Sequence, residues 1–477
     1  MSADNPSTPI ASDLSPADGP RRRRVLGGLA AGTVAAALPQ RRARAATLPR
    51  VAIIGGGMAG IACAWLLDGV CEVQLYEARD TIGGNVRTLS VQVGGQVLPV
   101  DMGAQFFHPG PYPTYVQLLS QLGLWPVDSG ESHSFVASIT LSSPDEATPR
   151  FVSPVLPGRA WPLLAPWNRS GVQAFQTAFN AAQRREQRDA SWSLSMGDWL
   201  ASLNLTPAQA ETMILPWAAS LNSGDVSETG GLSARALMVF AAGALPPALT
   251  DPVLYYVLKR GMIEPLNRMV AQFGTVQMHI SAAVEAVSPA PGGGFRVQPQ
   301  GLPAADFDAV VFAASGPPTL SLLAGLPGTA AQRSALQGIP FYDATLALHT
   351  DPAFAPADPR HWSFLNCSAE GSACEASMWL DPVIGSSGLW KSWISHRAPP
   401  QQLLATEQYR HMLPTVGAIQ SQKLLAAQQG RGGIWFAGGY TQPFDSQETA
   451  LLSAMGVAQG LSGGSARLSR LQRLAQR

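Results

Sequence analysis

The sequence predicts an α/β fold on three observations. Four apolar residues, Val51–Ile54, run into Gly55-x-Gly57-x-x-Gly60 and then into a helical pattern whose apolar positions are Ile61, Ala64, Trp65 and Leu67. A second strand pattern, Glu72–Tyr76, follows at once and ends in the acidic Glu77. Further strand patterns, Phe307–Ser315 and a run ending at Phe436, recur far downstream, separated by stretches of different periodicity. Strand, glycine turn, helix and strand in one compact unit is the signature of a Rossmann-like nucleotide-binding unit. The distant strands make that domain discontinuous, and the intervening stretches supply an α+β domain for substrate.

Bulk composition excludes several alternatives. The chain has 477 residues, 46% of them hydrophobic, with Lys plus Arg equal to Asp plus Glu at 32 each. A balanced charge gives no field for nucleic acid, which is not expected as a partner. The four cysteines, Cys63, Cys71, Cys367 and Cys374, match no zinc spacing, and no metal is expected. Cys63 and Cys71 fall in the first strand–helix–strand unit and read as buried thiols. Cys367 and Cys374 are either a disulfide or two free thiols.

In chain order, residues 1–20 are Ser-, Pro-, Asp- and Ala-rich and read as disordered. Arg21–Arg24, the apolar run Val25–Leu38 and the end Ala43-Arg44-Ala45 form a cleavable leader. Its run is too short for a stable transmembrane anchor, which needs about 20 residues. Arg22-Arg23-Arg24-Val25-Leu26 resembles a twin-arginine signal. That resemblance implies the twin-arginine export machinery as a partner, a periplasmic or extracellular location, and a cargo folded around its cofactor before crossing.

The first glycine of the motif permits a tight turn, the second lets a pyrophosphate approach the backbone, and the third lets helix pack on strand. The helix N-terminus favours the phosphate charge. Glu77 suits a ribose hydroxyl pair and would repel a 2′-phosphate. The second glycine pair, Gly83-Gly84, and the stretch Leu98–His108, LPVDMGAQFFH, have no use in a plain nicotinamide unit. They look like the second phosphate-side loop of flavoproteins that hold FAD.

With these blocks the sequence resembles the flavin-containing amine oxidase superfamily. The likeness continues in YYVLKRGMIEPLNRMVAQFGTVQMHISAAVEAV, in FDAVVFAAS and in GGIWFAGGYTQPFDSQETALLSAMGVAQGL. The YRHMLPTVGAIQ segment is closest to an uncharacterised bacterial branch of FAD-binding proteins. The resemblance implies FAD contacts from Gly55, Gly57, Met58, Ala59, Gly60, Glu77, Ala78, Arg79, Gly83, Gly84, Asn85, Arg87, Gly103, Ala104, Gln105, Val284, Ala314, Gly438, Gly439, Thr449 and Ala450. Backbone N–H groups at Thr449 and Ala450 would face the flavin pyrimidine edge. The FAD domain is then expected from residues 46–145, 265–325 and 425–465, with a helical insert at 146–264, a sheet at 326–424 and a basic tail at 466–477. That tail reads as a solvated extension or a membrane-surface helix.

Flavin chemistry implies an FAD-dependent oxidoreductase that removes a hydride equivalent from an amine or another small apolar substrate, with oxygen or a quinone-like acceptor reoxidising the cofactor. A C–C desaturase or isomerase is the alternative, and a flavoprotein carrier or subunit without turnover is a reading of another class. Departures from the family pattern weigh against amine specificity. Asn85 stands where an arginine is usual, which moves a charged contact to Arg79 or Arg87. Thr345 stands near the place of a lysine, and Phe444-Asp445-Ser446-Gln447 replaces an aromatic wall. The catalytic candidates are His108 and His411 as bases, Gln105 beside the flavin, and Lys391 as a holder of an anionic substrate group.

Overall fold

Val51–Ile54 offers no polar face to water, and the strand it belongs to, Arg50–Ile54, lies at the centre of a five-stranded parallel sheet. The structure, a computed structural model, describes residues 48–474 apart from 160–162, 164, 247 and 249. The arginine-rich leader lies outside the described residues. In space the parallel strands run Ile434–Phe436, Ala309–Phe312, Arg50–Ile54, Glu72–Tyr76 and Gln277–His279. Val51 stands opposite Ala309 on one side and Val73 on the other. One sheet therefore draws on three remote parts of the chain.

The helix Met58–Leu67 is buried at every residue, because it is wedged between this sheet and the helix Gln447–Ser462. An antiparallel sheet, Val284–Pro289, Phe295–Pro299 and Ala305–Phe307, packs with the opposite face of the parallel strands.

The second layer is a seven-stranded sheet in the order Leu403–Met412, Phe341–His349, Trp390–Trp393, Ala373–Trp379, Leu365–Glu370, Ile139–Ser142 and Phe151–Val152. All pairs are antiparallel except Leu365–Glu370 with Ile139–Ser142. Helices from the central insert, Arg169–Gln187 and Ala234–Ala244 among them, join its core, where the Phe151 and Phe175 rings stack at 3.9 Å. Two hairpin-like pairs bridge toward the parallel layer: Thr88–Val93 with Gln96–Asp101, and Ser132–Val136 with Leu254–Leu258.

All four cysteines are buried free thiols. Cys367 and Cys374 lie on adjacent strands but out of register, Cys367 opposite Ala376 and Cys374 opposite Ala369. The basic tail is neither a solvated extension nor a membrane-surface helix. It forms the helix Ala466–Leu474, with Leu468 and Leu471 fully buried. Arg467 donates to the carbonyls of Trp65 and Gln272 and pairs with Asp68. Among the described residues no helix is long and apolar enough to cross a membrane, and no cluster of His, Cys, Asp and Glu is placed to hold a metal.

Candidate active site

The glycines of the first turn do three separate jobs. Gly55 has φ +116°, and a Cβ there would sit 2.8 Å from the Ala313 carbonyl, so the turn can lie against Ala313–Ala314 only without a side chain. At Gly60 a Cβ would meet the Gly55 oxygen at 1.9 Å. Gly57 caps the helix without any side-chain hydrogen bond, leaving the first-turn N–H groups of Met58, Ala59 and Gly60 without a side-chain cap. The second glycine pair closes over this helix start: Gly83 N donates to Gly56 O at 2.9 Å, and a Cβ on Gly84 would lie 3.1 Å from Gly57 Cα. The two glycine loops thus form one wall with no side chains.

Glu77 is buried at the end of its strand. Its Oε2 accepts from Gly56 N at 2.6 Å and its Oε1 from Arg79 N at 2.9 Å, which fixes the carboxylate beside the turn. Ala282 N donates to Glu77 O, and this brings the start of the Val284 strand to the same end of the cradle. The two arginines part company. Arg87 donates to Gly84 O at 3.2 Å, pairs with Glu407 and covers the Tyr409 ring at 5.1 Å. Arg79 is exposed, with a single 3.5 Å contact to Gly84 O, and is the one of the two with a guanidinium to spare.

Asn85 follows directly. Its carbonyl accepts from Ala104 N at 3.0 Å, and a Cβ on Gly103 would strike that same carbonyl. Its side chain reaches His411 Nδ1 at 3.4 Å, and His411 Nδ1 lies 3.2 Å from Asp445 Oδ2. Three remote segments therefore meet at His411. Tyr409 stacks on His411 and is buried, with a hydroxyl that has no hydrogen-bond partner among the described residues.

At the far side Gly438, at φ +146°, donates its N–H to Ser453 Oγ. The helix Gln447–Ser462 begins with a capping box in which Ser446 Oγ accepts from Thr449 N at 3.2 Å. Ala450 N donates to Ser446 O at 3.0 Å. The expected anion-facing N–H groups at Thr449 and Ala450 are thus spent inside the helix, and those of Gln447 and Glu448 precede them. The Glu448 carboxylate accepts from Thr114 N and Tyr115 N at 3.1 and 2.6 Å, pinning this helix to the one at Pro113–Gln121. Phe444 packs on Trp192 and Phe240.

A cavity of about 400 Å³ opens beside the cradle. Its inner end is Asp101 and Gln105, next to Gly103–Ala104, and its rim includes the exposed Lys259 and Gly385. Phe106, Phe135 and Phe364 form one aromatic wall, with centroids 4.7–6.3 Å apart. Gln105 donates to Met378 Sδ at 2.7 Å. One oxygen of Asp101 is engaged by the protein: Oδ1 accepts from Thr88 Oγ1 at 2.5 Å and Met262 N at 2.9 Å. Burial raises its pKa.

Lys391 is not on the cavity wall, contrary to its expected role with substrate. It is buried in the seven-stranded sheet, where Nζ donates to the Asp101 carbonyl at 2.7 Å and burial lowers its pKa. It positions Asp101 instead. His108 also stands off the wall; Gly110 N donates to its Nδ1 at 3.0 Å, the ring packs near Tyr255, and burial lowers its pKa. Asp101, Tyr409, Asp445 and Glu448 escaped sequence reading. Each lay in or beside a stretch already singled out: Asp101 in LPVDMGAQFFH, Tyr409 at the head of YRHMLPTVGAIQ, Asp445 in Phe444–Gln447 and Glu448 just before Thr449.

These residues fit FAD. A side-chain-free wall backs an uncapped helix start that would receive the pyrophosphate, Glu77 is fixed where it would meet the ribose, and Tyr409 leaves a buried hydroxyl unsatisfied near the second glycine loop.

Comparison with known proteins agrees. The sequence pattern of the family described as flavin containing amine oxidoreductase matches residues 58–407. The 15-cis-phytoene desaturase of Synechococcus elongatus is 27% identical over 249 residues, 47% of this chain and 50% of the relative. The chain thus spans about half the length of that curated relative. Cyclohexylamine oxidase from Brevibacterium oxydans IH-35A superposes with a TM-score of 0.59 at 16% identity, covering 87% of this chain and 99% of that one. Putrescine oxidase bound to putrescine gives the same TM-score, identity and coverage. At such identities the likeness is one of fold.

Proposed function

Because this chain belongs to the flavin-containing amine oxidoreductase family, with FAD as the cofactor, we propose that it is an FAD-dependent oxidoreductase acting on an amine or another small apolar substrate held in the 400 Å³ cavity. When bound, FAD supplies the acceptor for a hydride equivalent, with oxygen or a quinone-like compound as the final oxidant. The observation that carries the reading is the locked pair of glycine loops beside an apolar cavity that starts at Gln105. The chain's part is to bind and orient. The aromatic wall of Phe106, Phe135 and Phe364 strips water from the substrate, Gln105 offers an amide at the inner end, and His411, backed by Asp445, stands beside the cradle as a candidate base.

A C–C desaturase is the second reading. It is favoured by the apolar aromatic wall of the cavity.

The test is the visible spectrum of the purified protein, then anaerobic titration with pooled amines and pooled unsaturated lipids. Flavin bands bleached by one pool identify the substrate class, and admitting air shows whether oxygen reoxidises the cofactor. A protein that binds no flavin ends the proposal; a flavin that no pool bleaches points to the carrier. Export by the twin-arginine route is part of the same proposal, supported by Arg22-Arg23 and the Ala43-Arg44-Ala45 end of the leader. Cell fractionation with Arg22→Lys plus Arg23→Lys should leave the protein in the cytoplasm, and continued export would refute the route.

A further inference from the structure

We propose that the Tyr409 hydroxyl is a cofactor-binding donor, hydrogen-bonded to an oxygen of FAD on the second-glycine-loop side of the cradle. This rests on the FAD reading above and adds a contact from the other sheet.

The argument begins with an imbalance. Tyr409 is 3% exposed, and its hydroxyl is buried with no protein partner among the described residues. A buried phenol is normally hydrogen-bonded, since an unpaired one loses its water without compensation. The side chain itself is held firmly. Its strand pairs Tyr409 with Ala344, the Arg87 guanidinium lies 5.1 Å over one side of the ring, and His411 stacks at 6.0 Å. Two contacts tie it to the cradle. A Cβ on Gly103 would come within 2.9 Å of the ring edge, and Gly103 abuts the Asn85 carbonyl. Arg87, on the ring, donates to Gly84 O.

Beside Gly103 and the Gly84 turn there is thus a donor with no acceptor, and Arg79, the one of the two loop arginines with a guanidinium to spare, contacts the same Gly84 O. A phenol O–H aimed there suits an electron-rich oxygen such as those of a phosphate or a ribityl chain. The assignment also explains how the usual arginine can be replaced by Asn85: the donor it supplied comes instead from Arg79 and, across the interface of the two sheets, from Tyr409.

The experiment compares wild type with Tyr409→Phe, which keeps the ring and removes only the oxygen. Protein stripped of flavin is titrated with FAD by fluorescence quenching, and the melting temperature of the flavin-free form is recorded. The expected result is FAD binding about tenfold weaker, in keeping with the loss of one hydrogen bond to a polar or charged acceptor, with a flavin-free melting temperature equal to or above wild type. The rise follows because the variant no longer buries an unpaired hydroxyl. Unchanged FAD affinity overturns the proposal. So does a lower flavin-free melting temperature, which would mean the hydroxyl already has a partner within the protein. If wild type itself takes up no FAD, the cofactor assignment falls and this contact with it; if wild type binds and Tyr409→Phe binds equally well, only the contact falls.

Discussion

His349 shows how far a single side chain can set the response of this fold to acid. It is fully buried; Asp351 N donates to its Nδ1, and its Nε2 lies 2.7 Å from Ser392 Oγ, which in turn lies 2.8 Å from Ser377 Oγ. An Nδ1 that accepts leaves the proton on Nε2, so the ring is neutral. Burial holds its pKa down to about 4, against 6.5 for a free imidazole. Between those values the unfolded chain binds a proton that the folded chain refuses. Stability therefore falls as pH drops from about 6.5 to about 4, and this contribution is constant above that window. Melting curves across pH 4–8 should show the slope, and His349→Asn should flatten it. Glu448 makes a complementary case. Glu448→Ala strips the acceptor from two buried N–H groups, Thr114 and Tyr115. Urea unfolding should show a loss of about 2–4 kcal/mol. Neither residue's role was legible in the sequence, because each depends on partners that only the fold brings near: a buried serine pair for one, a helix start more than three hundred residues away for the other.

At the scale of elements, the first strand–turn–helix was readable because backbone geometry alone demands its glycines. Gly60→Ala is the sharpest check: its Cβ would overlap the Gly55 oxygen, a backbone atom with no room to retreat. The variant should lose both FAD and cooperative melting, and a normally melting, yellow Gly60→Ala protein would show the turn to be softer than described. The last long helix was readable as an element but not in its cap. Ser446 and Thr449 satisfy one another's backbone groups, a pattern visible in the sequence yet overridden by the resemblance, which directed attention to Thr449 and Ala450. Lys391 failed differently. The sheet expected over 326–424 implies a strand for Lys391 but not a face, and a lysine turned inward toward Asp101 looks the same in sequence as one turned to a ligand.

At the scale of the molecule, the discontinuous nucleotide-binding half could be anticipated because each remote strand carries its own apolar run. The cavity could not, since its wall is assembled from short pieces of several segments, among them Phe106, Phe135, Leu258, Phe364 and Ile384. The tail was misjudged for want of a partner: Leu468 and Leu471 look amphipathic alone and are core residues once the helices Met58–Leu67 and Pro113–Gln121 are present. Leu471→Ala should cost about 2–4 kcal/mol, as for other fully buried leucines, where a solvated tail would register nothing. Denaturant midpoints of the full chain decide between them.

The way the parallel sheet is stitched has a consequence for how the protein is made. Its central strand, Arg50–Ile54, leaves the ribosome well ahead of its edge, Ile434–Phe436, and of the helix that closes over Met58–Leu67, which emerge only after the seven-stranded layer between them has been made. No nascent intermediate can complete that half. The strands and helix made first must wait in partly folded form until that last strand and helix have emerged. A ribosome-stalled chain ending at residue 430 should be digested rapidly by protease, whereas one extended past residue 474 by a linker that clears the exit tunnel should resist it.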